Sequence, residues 1–137
     1  MSFPTNAVKA IIIESSKILI MQNKKKFWDL PGGLIEKGEE NKYALKREVF
    51  EETSLDVTVT ENVGSWSFIR SYDNEVVKVK NYLCEINNNK KDFQLSEEHI
   101  DYKWINPLEI AKFKVKDDSL IKSITRMFKK KTDENKA

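Results

Sequence analysis

Cysteine is almost absent from this sequence. Cys84 is the only one among 137 residues, so a disulfide within the chain is excluded. Its neighbours Tyr82, Leu83 and Ile86 are apolar or aromatic, which favours a small core residue over a reactive thiol. Stability must therefore come from a packed core, and a chain of this length with 39% hydrophobic residues is long enough to form one as a single domain.

Long hydrophobic runs and a charge of one sign are also missing. The apolar stretch Ala10–Ile13 is followed at once by polar residues, so it is too short for a signal peptide. No stretch approaches the length that spans a membrane. The net charge is only +2, from 24 Lys and Arg against 22 Asp and Glu, which makes no general case for binding nucleic acid or a membrane. We therefore expect a cytoplasmic protein.

The most distinctive segment of the chain lies between residues 32 and 55. It contains six glutamates: Glu36, Glu39, Glu40, Glu48, Glu51 and Glu52. Between Asn41 and Thr53 there is neither glycine nor proline, and apolar residues recur there at helical spacing, which predicts a helix. On a helical wheel, Glu48, Glu51 and Glu52 fall within about 100° of one another. The pattern therefore predicts three carboxylates on one side of a helix.

These three carboxylates repel one another. Like charges spaced three or four residues apart destabilise an isolated helix by about 0.2–0.5 kcal/mol per pair. A divalent cation on that side would reverse the effect, because hard cations are bound through carboxylate oxygens. On helix spacing alone, a solvated acidic face without a ligand is the alternative interpretation.

The order of fixed residues in this segment resembles the Nudix box of MutT-like hydrolases, G-x5-E-x7-R-E-U-x-E-E-x-G-U, in which U is a bulky aliphatic residue. The matching residues are Gly33, Glu39, Arg47, Glu48, Val49, Glu51, Glu52 and Leu55, preceded by Pro31 and Gly32. One fixed position departs, because Ser54 stands where the family has glycine. Glycine at that position would allow a left-handed helix end, so the departure concerns the end of the helix rather than a metal ligand.

Strands are predicted on both sides of this helix from β-branched and alternating segments. They are Ala7–Ile13, Lys17–Gln22, Phe27–Leu30, Leu55–Thr60, Val63–Arg70, Val76–Ile86 and Tyr102–Ile105. A short helical turn is expected at 108–113 and a C-terminal helix over Ser119–Phe128. We predict one domain over residues 1–128, followed by a disordered basic tail at 129–137 whose lysines serve solubility rather than RNA binding. Spacing alone predicts an α+β domain with a mixed sheet. The resemblance implies an α/β/α sandwich in which the box forms a loop–helix–loop.

The resemblance also implies an activity: hydrolysis of a nucleoside diphosphate linked to another moiety, with Mg²⁺ or Mn²⁺ as cofactor. Such an ion acts as a Lewis acid and lowers the pKa of a bound water. By resemblance, Glu48 and Glu52 are the principal metal ligands, Glu51 shares a second ion or orients water, and the backbone carbonyl of Gly32 completes the shell. The adjacent glycines Gly32 and Gly33 would let the backbone approach a ligand closely.

Several roles stay open at this point. Glu48 is the candidate general base, but some family members take the base from a loop outside the box, where Glu97 and Glu98 lie here; Glu98 is also a candidate metal ligand. Gly32, Gly33 and Glu39 are the candidate residues for binding the substrate phosphates. Arg47 is expected to fix the box loop through a salt bridge with Glu39 or Glu51. The only histidine, His99, is given no role.

The substrate is the least determined part of the prediction. A small chain with no extra domain favours a (d)NTP, which would be cleaved to a nucleoside monophosphate. The alternatives are a dinucleoside polyphosphate, for which Tyr72 is a weak sign, an ADP-sugar, and a nucleotide sensor without catalysis. An isoprenoid diphosphate isomerase would want a cysteine near the site, and Cys84 is a poor candidate. The lysine run Lys24–Lys26 is either a solvated loop or a loop that faces phosphate. A homodimer is common in the family.

Overall fold

The computed structural model describes residues 3–135, and the side chains of residues 3–129. The strands are β1 Asn6–Glu14, β2 Lys17–Asn23, β3 Trp28–Asp29, β4 Gly32–Leu34, β5 Val57–Ile69, β6 Val76–Ile86 and β7 His99–Ile105. The helices are α1 Asn41–Thr53 and α2 Asp118–Asn135, with short 3₁₀ turns at Lys90–Asp92 and Pro107–Lys112. The predicted bounds of the acidic helix are confirmed.

The seven strands form one mixed sheet. Its path is β3-β2-β1-β6-β5, with β4 paired to β1 and β7 paired to β2. Strands β1 and β6 are parallel, and the other pairs are antiparallel. The apolar run in β1 explains its central position, because Val8, Ala10, Ile11 and Ile12 are fully buried and a strand covered on both faces needs apolar residues on both.

A helix covers each face of this sheet. On one face, α1 packs Ala44, Leu45 and Val49 against side chains of β1, β2 and β6. On the other face, α2 packs Leu120 and Ile124 against alternate side chains of β1 and β2. This arrangement confirms the α/β/α sandwich. Between residues 3 and 135, no helix is long and apolar enough to cross a membrane.

The structure differs from the predicted strands on either side of α1. The segments Leu55–Thr60 and Val63–Arg70 were predicted as two strands, but they form the single strand β5, whose register shifts between Val59 and Asn62 and again between Asn62 and Gly64. Such bulges insert extra residues and interrupt the alternation that marks a strand in the sequence. Residues 32–34, where no strand was predicted, pair with β1 as a short strand.

The C-terminal helix is longer than predicted. Helix α2 begins at Asp118 and continues to Asn135, so the segment 129–135, predicted as disordered, is helical in the structure. No glycine or proline interrupts residues 118–135, and adding residues to a formed helix requires no new nucleus. Residues 136 and 137 of the predicted tail lie outside the described residues.

Candidate active site

Helix α1 presents two of its glutamates to the backbone of β4. Its buried residues Ala44, Leu45 and Val49 fix its rotation against the sheet. The backbone N–H of Gly32 donates a hydrogen bond of 2.8 Å to Oε1 of Glu52. The carboxylate of Glu48, one turn earlier in the helix, lies directly over Gly33.

Both glycines of this strand are required by close packing. Gly32 has φ +144°, and a Cβ atom there would collide with the backbone oxygen of Val8. A Cβ atom on Gly33 would lie 2.7 Å from Cδ and 2.8 Å from Oε2 of Glu48. The absence of a side chain at Gly33 therefore lets the carboxylate of Glu48 rest on the backbone of β4.

Arg47 joins the box loop to the helix. Its Nε and Nη2 atoms donate to Oε2 and Oε1 of Glu39 at 2.8 and 2.9 Å, and Nη1 lies 3.0 Å from Oε1 of Glu48 and 3.4 Å from Oε1 of Glu51. Glu39 also accepts the N–H of Glu36. These bonds raise the pKa of Arg47 and lower that of Glu39. The predicted salt bridge is confirmed, and both of its possible partners take part.

The loop before β7 is tied to the end of α1. The N–H of Gln94 donates to the carbonyl of Thr53, and that of Ser96 to the carbonyl of Glu52, at 2.8 and 2.9 Å. Nε2 of His99 lies 3.6 Å from Oε2 of Glu52, and each of these side chains is 12% exposed. The loop therefore carries its own acidic pair, residues 97 and 98, to the carboxylates of α1.

Together these elements enclose an acidic cleft of about 630 Å³. Its lining residues are Glu36, Arg47, Glu48, Glu51, Glu52, Ser96, Glu97 and Glu98. The structure thus brings the predicted site residues of the helix together with both candidates from the outside loop. The two predicted glycines flank the cleft through their contacts with Glu48 and Glu52.

Burial makes the central carboxyls unusually basic. It raises the pKa of Glu52 to about 8, against the opposing effects of the Lys9 ammonium and the Gly32 N–H. Burial also raises the pKa of Glu48, although Arg47 acts in the other direction. A carboxyl that is buried without a full counter-charge favours its neutral form. A cation in the cleft would supply that counter-charge, and both carboxylates would then stabilise the cation.

The donor set fits a magnesium ion that retains other ligands. Among the side chains of residues 3–129, no three His, Cys, Asp or Glu lie close enough together to hold a metal ion. Glu51 is 58% exposed and contacts Arg47, which also binds one oxygen of Glu48. Two carboxylates with water and phosphate oxygens are nevertheless the coordination that Mg²⁺ prefers.

A second cavity of about 280 Å³ lies between β3, β5 and the start of α2. Its walls include four aromatic side chains: Phe27, Trp28, Trp66 and Phe68. Its charged lining residues are Asp29, Arg70, Lys116 and Asp117. Asp29 is bound by the ammonium of Lys9 at 2.8 Å, and that ammonium acts on the pKa of Glu52. Asp29 thus lines the aromatic cavity, while its charge and that of Lys9 both act on the pKa of Glu52 in the acidic cleft.

Lys9, Asp29 and His99 are site residues that were not predicted from the sequence. A signal existed for Lys9, because it is the only charged residue in the apolar segment Ala7–Ile13. No local pattern in the sequence marks Asp29 or His99, because their partners, Lys9 and Glu52, lie on other elements of the fold.

Other candidates lie away from the cleft. Tyr72 is 63% exposed and contacts the ring of Phe3 edge-to-face, while the guanidinium of Arg70 lies 4.8 Å from the centre of the Tyr72 ring. The loop 24–26 is exposed and follows Asn23, which lines the aromatic cavity rather than the cleft. Cys84 is buried, as predicted, and burial raises the pKa of its thiol to about 12, so it is not a reactive group.

Comparison with known proteins agrees with this geometry. The family model described as NUDIX domain matches residues 4–125. The 8-oxo-dGTP diphosphatase of Buchnera aphidicola is 31% identical over 130 residues, which cover 90% of this chain and 95% of that protein. The nucleoside triphosphatase NudI of Escherichia coli is 26% identical over 99 residues, covering 63% of this chain and 66% of NudI.

Solved structures share the fold. The MutT protein of Methanosarcina mazei superposes with a TM-score of 0.78 at 24% identity, covering 96% of this chain and 98% of that one. An ADP-ribose pyrophosphatase of Streptococcus suis superposes with a TM-score of 0.68 at 22% identity, covering 90% and 91%. With the box residues gathered at one cleft, the family match over residues 4–125 leads to a single conclusion: this chain belongs to the NUDIX family and is a hydrolase of phosphoanhydride bonds.

Proposed function

We propose that this protein hydrolyses a nucleoside triphosphate to the nucleoside monophosphate and pyrophosphate, with Mg²⁺ or Mn²⁺ as cofactor. The observation that carries the proposal is a pair of cavities linked by Asp29, which lines one of them and whose charge acts on the pKa of Glu52 in the other. One offers buried carboxylates for a cation beside a phosphate chain, and the other offers aromatic walls for a base. The extensive similarity to an 8-oxo-dGTP diphosphatase supports a triphosphate over the alternatives.

The roles of the cleft residues follow from their positions. When bound, the metal ion supplies Lewis acidity and a water of lowered pKa. Glu48 and Glu52 would hold it, with the carbonyl of Gly32 and the more exposed Glu51 and Glu98 as further ligands. Glu48 is our candidate base because its carboxylate is fixed between Arg47 and the backbone of Gly33. The exposed loop pair, residues 97 and 98, stays the alternative source of the base.

The aromatic cavity favours a particular kind of nucleobase in the substrate. Aromatic side chains such as Trp28 and Trp66 can stack on a purine ring. The carboxylates of Asp29 and Asp117 accept hydrogen bonds and donate none when ionised. Both oxygens of Asp29 already accept hydrogen bonds, from Lys9 and Leu30, and Oδ1 of Asp117 accepts the N–H of Ser119. We therefore assign Oδ2 of Asp117 to a nucleobase edge that presents N–H donors, as guanine and its 8-oxo form do. We propose a guanine-type nucleoside triphosphate as the substrate class.

A substrate screen with purified protein tests this proposal. We expect dGTP or 8-oxo-dGTP to yield the monophosphate and pyrophosphate only when Mg²⁺ or Mn²⁺ is present. The same assay should include dATP, dCTP, ADP-ribose and a dinucleoside polyphosphate. If ADP-ribose or the dinucleoside polyphosphate is hydrolysed faster than dGTP and 8-oxo-dGTP, the proposed guanine-type substrate is wrong and the faster compound takes its place. Binding of these nucleotides without turnover of any would contradict hydrolysis and favour a sensor.

A further inference from the structure

Lys9 is a buried charge in the central strand of the sheet. Its side chain is 15% exposed, and its Nζ atom lies 2.8 Å from Oδ2 of Asp29. In the sheet register it pairs with Gly32 of β4, whose N–H binds Glu52. Lys9 therefore lies beside the strand whose backbone binds Glu52, and its ammonium is paired with Asp29, which lines the aromatic cavity.

The ammonium has more donors than the protein uses. An ammonium carries three N–H groups, and Asp29 is its one hydrogen-bond partner among the described residues. Glu52 and Glu48 act on it only through space. Although burial opposes the charged form, Asp29 and these two glutamates hold the pKa of Lys9 above its ordinary value. Two charged N–H donors of Lys9 thus have no acceptor among the described residues.

An anionic substrate would need a cation beside the acidic cleft. A nucleoside triphosphate is strongly anionic, and six of the residues that line the cleft are glutamates. The nearby guanidinium of Arg47 is occupied by Glu39, Glu48 and Glu51. If the nucleobase lies in the aromatic cavity and the phosphoanhydride in the cleft, the phosphate attached to the nucleoside would lie near Asp29 and Lys9.

We propose that Lys9 binds the phosphoryl group attached to the nucleoside of the substrate. This inference rests on the proposed function and adds a phosphate-binding residue that lies outside the box. Ammonium–phosphate hydrogen bonds are charge-assisted and therefore among the stronger ones. Asp29 would keep the ammonium in position between the two cavities while its own second oxygen, Oδ1, accepts the N–H of Leu30 at 2.7 Å.

Binding without metal tests this role separately from turnover. Calorimetry in EDTA would compare dGMP with deoxyguanosine, which differ only in the phosphate. The wild-type protein should bind dGMP more tightly by about 10-fold to 100-fold, the range for a hydrogen bond to a charged group. In Lys9→Met, which keeps the apolar stem, that difference should fall to less than about 3-fold, while deoxyguanosine binds as before.

Lys80→Met is the matched control, because it makes the same substitution at an exposed lysine of β6 that lines neither cavity. It should keep the wild-type preference for dGMP over deoxyguanosine. Equal affinity of the wild-type protein for the two probes would overturn the proposal. A Lys9→Met variant that loses affinity for both probes to the same extent would also overturn it. In that case Lys9 would only hold Asp29 in place and would not contact the phosphate.

Two further readouts separate the possible failures. If Lys9→Met does not fold, NMR of the wild-type protein labelled with ¹⁵N-lysine should show a shift of the Lys9 Nζ signal with dGMP and not with deoxyguanosine; no shift would refute the contact. Where Lys9→Met folds, its KM for dGTP should rise about 10-fold or more. Phosphate-dependent binding of dGMP with no hydrolysis of any triphosphate would leave Lys9 as assigned and refute the proposed function alone.

Discussion

Nε2 of His99 lies 3.6 Å from Oε2 of Glu52, and Oε1 of the same carboxyl accepts the N–H of Gly32. Each oxygen of this buried group thus faces a different part of the chain: β4 on one side and the start of β7 on the other. The imidazole is in turn held by Ser96, whose Oγ lies 3.0 Å from Nδ1. Glu52 is therefore oriented before any cation arrives.

We predict that His99→Ala weakens metal activation without abolishing activity. Groups that orient a metal ligand are worth about 10-fold to 100-fold in metal affinity or activity. The Mg²⁺ concentration that gives half-maximal hydrolysis of dGTP should rise by about 10-fold, and His99→Gln should recover part of the loss. An unchanged Mg²⁺ dependence in His99→Ala would show that the imidazole does not position Glu52.

Gly33→Ala should lower kcat through Glu48. The new Cβ would lie 2.7 Å from Cδ of Glu48, so the carboxylate must move, and displacement of a reacting group by about 1 Å can reduce the rate about 100-fold. Gly38→Ala is the control, because its Cβ atom would meet nothing within 4 Å. The alanine would, however, have to adopt φ +83°, which a residue with a side chain rarely does. That variant should lose stability and keep its kcat. Equal kcat values in both variants would argue against the position of Glu48.

Ser54→Gly should stabilise the protein. Ser54 ends α1 with φ +60°, in the left-handed conformation, and its N–H donates to the carbonyl of Phe50. A residue with a Cβ atom is disfavoured there by about 1–2 kcal/mol, part of which the greater freedom of glycine in the unfolded chain offsets. We expect a gain of about 0.5–1 kcal/mol in the free energy of unfolding measured with urea. Ser54→Ala keeps the Cβ atom and should show no gain.

The raised pKa of Glu52 predicts a specific pH dependence of stability in EDTA. Its pKa is about 8 in the folded protein against an ordinary value of 4.5. Between these values the folded state holds a proton that the unfolded state has lost, so the free energy of unfolding falls as pH rises from about 4.5 to about 8. Glu52→Gln has no such proton and should lose less stability over this range. Parallel profiles for the two proteins would contradict the burial of an ionisable Glu52.

The sequence predicts those parts of the site that are local. The helix over Asn41–Thr53 and the pairing of Arg47 with Glu39 follow from spacing within one segment and from the resemblance. The contacts of Lys9 with Asp29 and of His99 with Glu52 join residues on different elements, so no pattern in the sequence contains them. Strand β5 was divided in the prediction because its bulges interrupt the alternation on which strand prediction depends. The unusual φ of Ser54 shows that the family's helix end is kept despite the missing glycine.

Mn²⁺ binding by Glu52→Gln, followed by electron paramagnetic resonance together with hydrolysis of dGTP, tests the central claim most directly. The substitution keeps the size of the side chain and removes its charge, and Glu40→Gln is the control on an exposed residue of the same segment that does not line the cleft. We predict that Glu52→Gln stays folded, loses Mn²⁺ affinity by at least about 10-fold and turns over dGTP at least about 100-fold more slowly, while Glu40→Gln behaves as wild type. Wild-type Mn²⁺ affinity and turnover in Glu52→Gln would contradict the assignment of this cleft as the catalytic metal site.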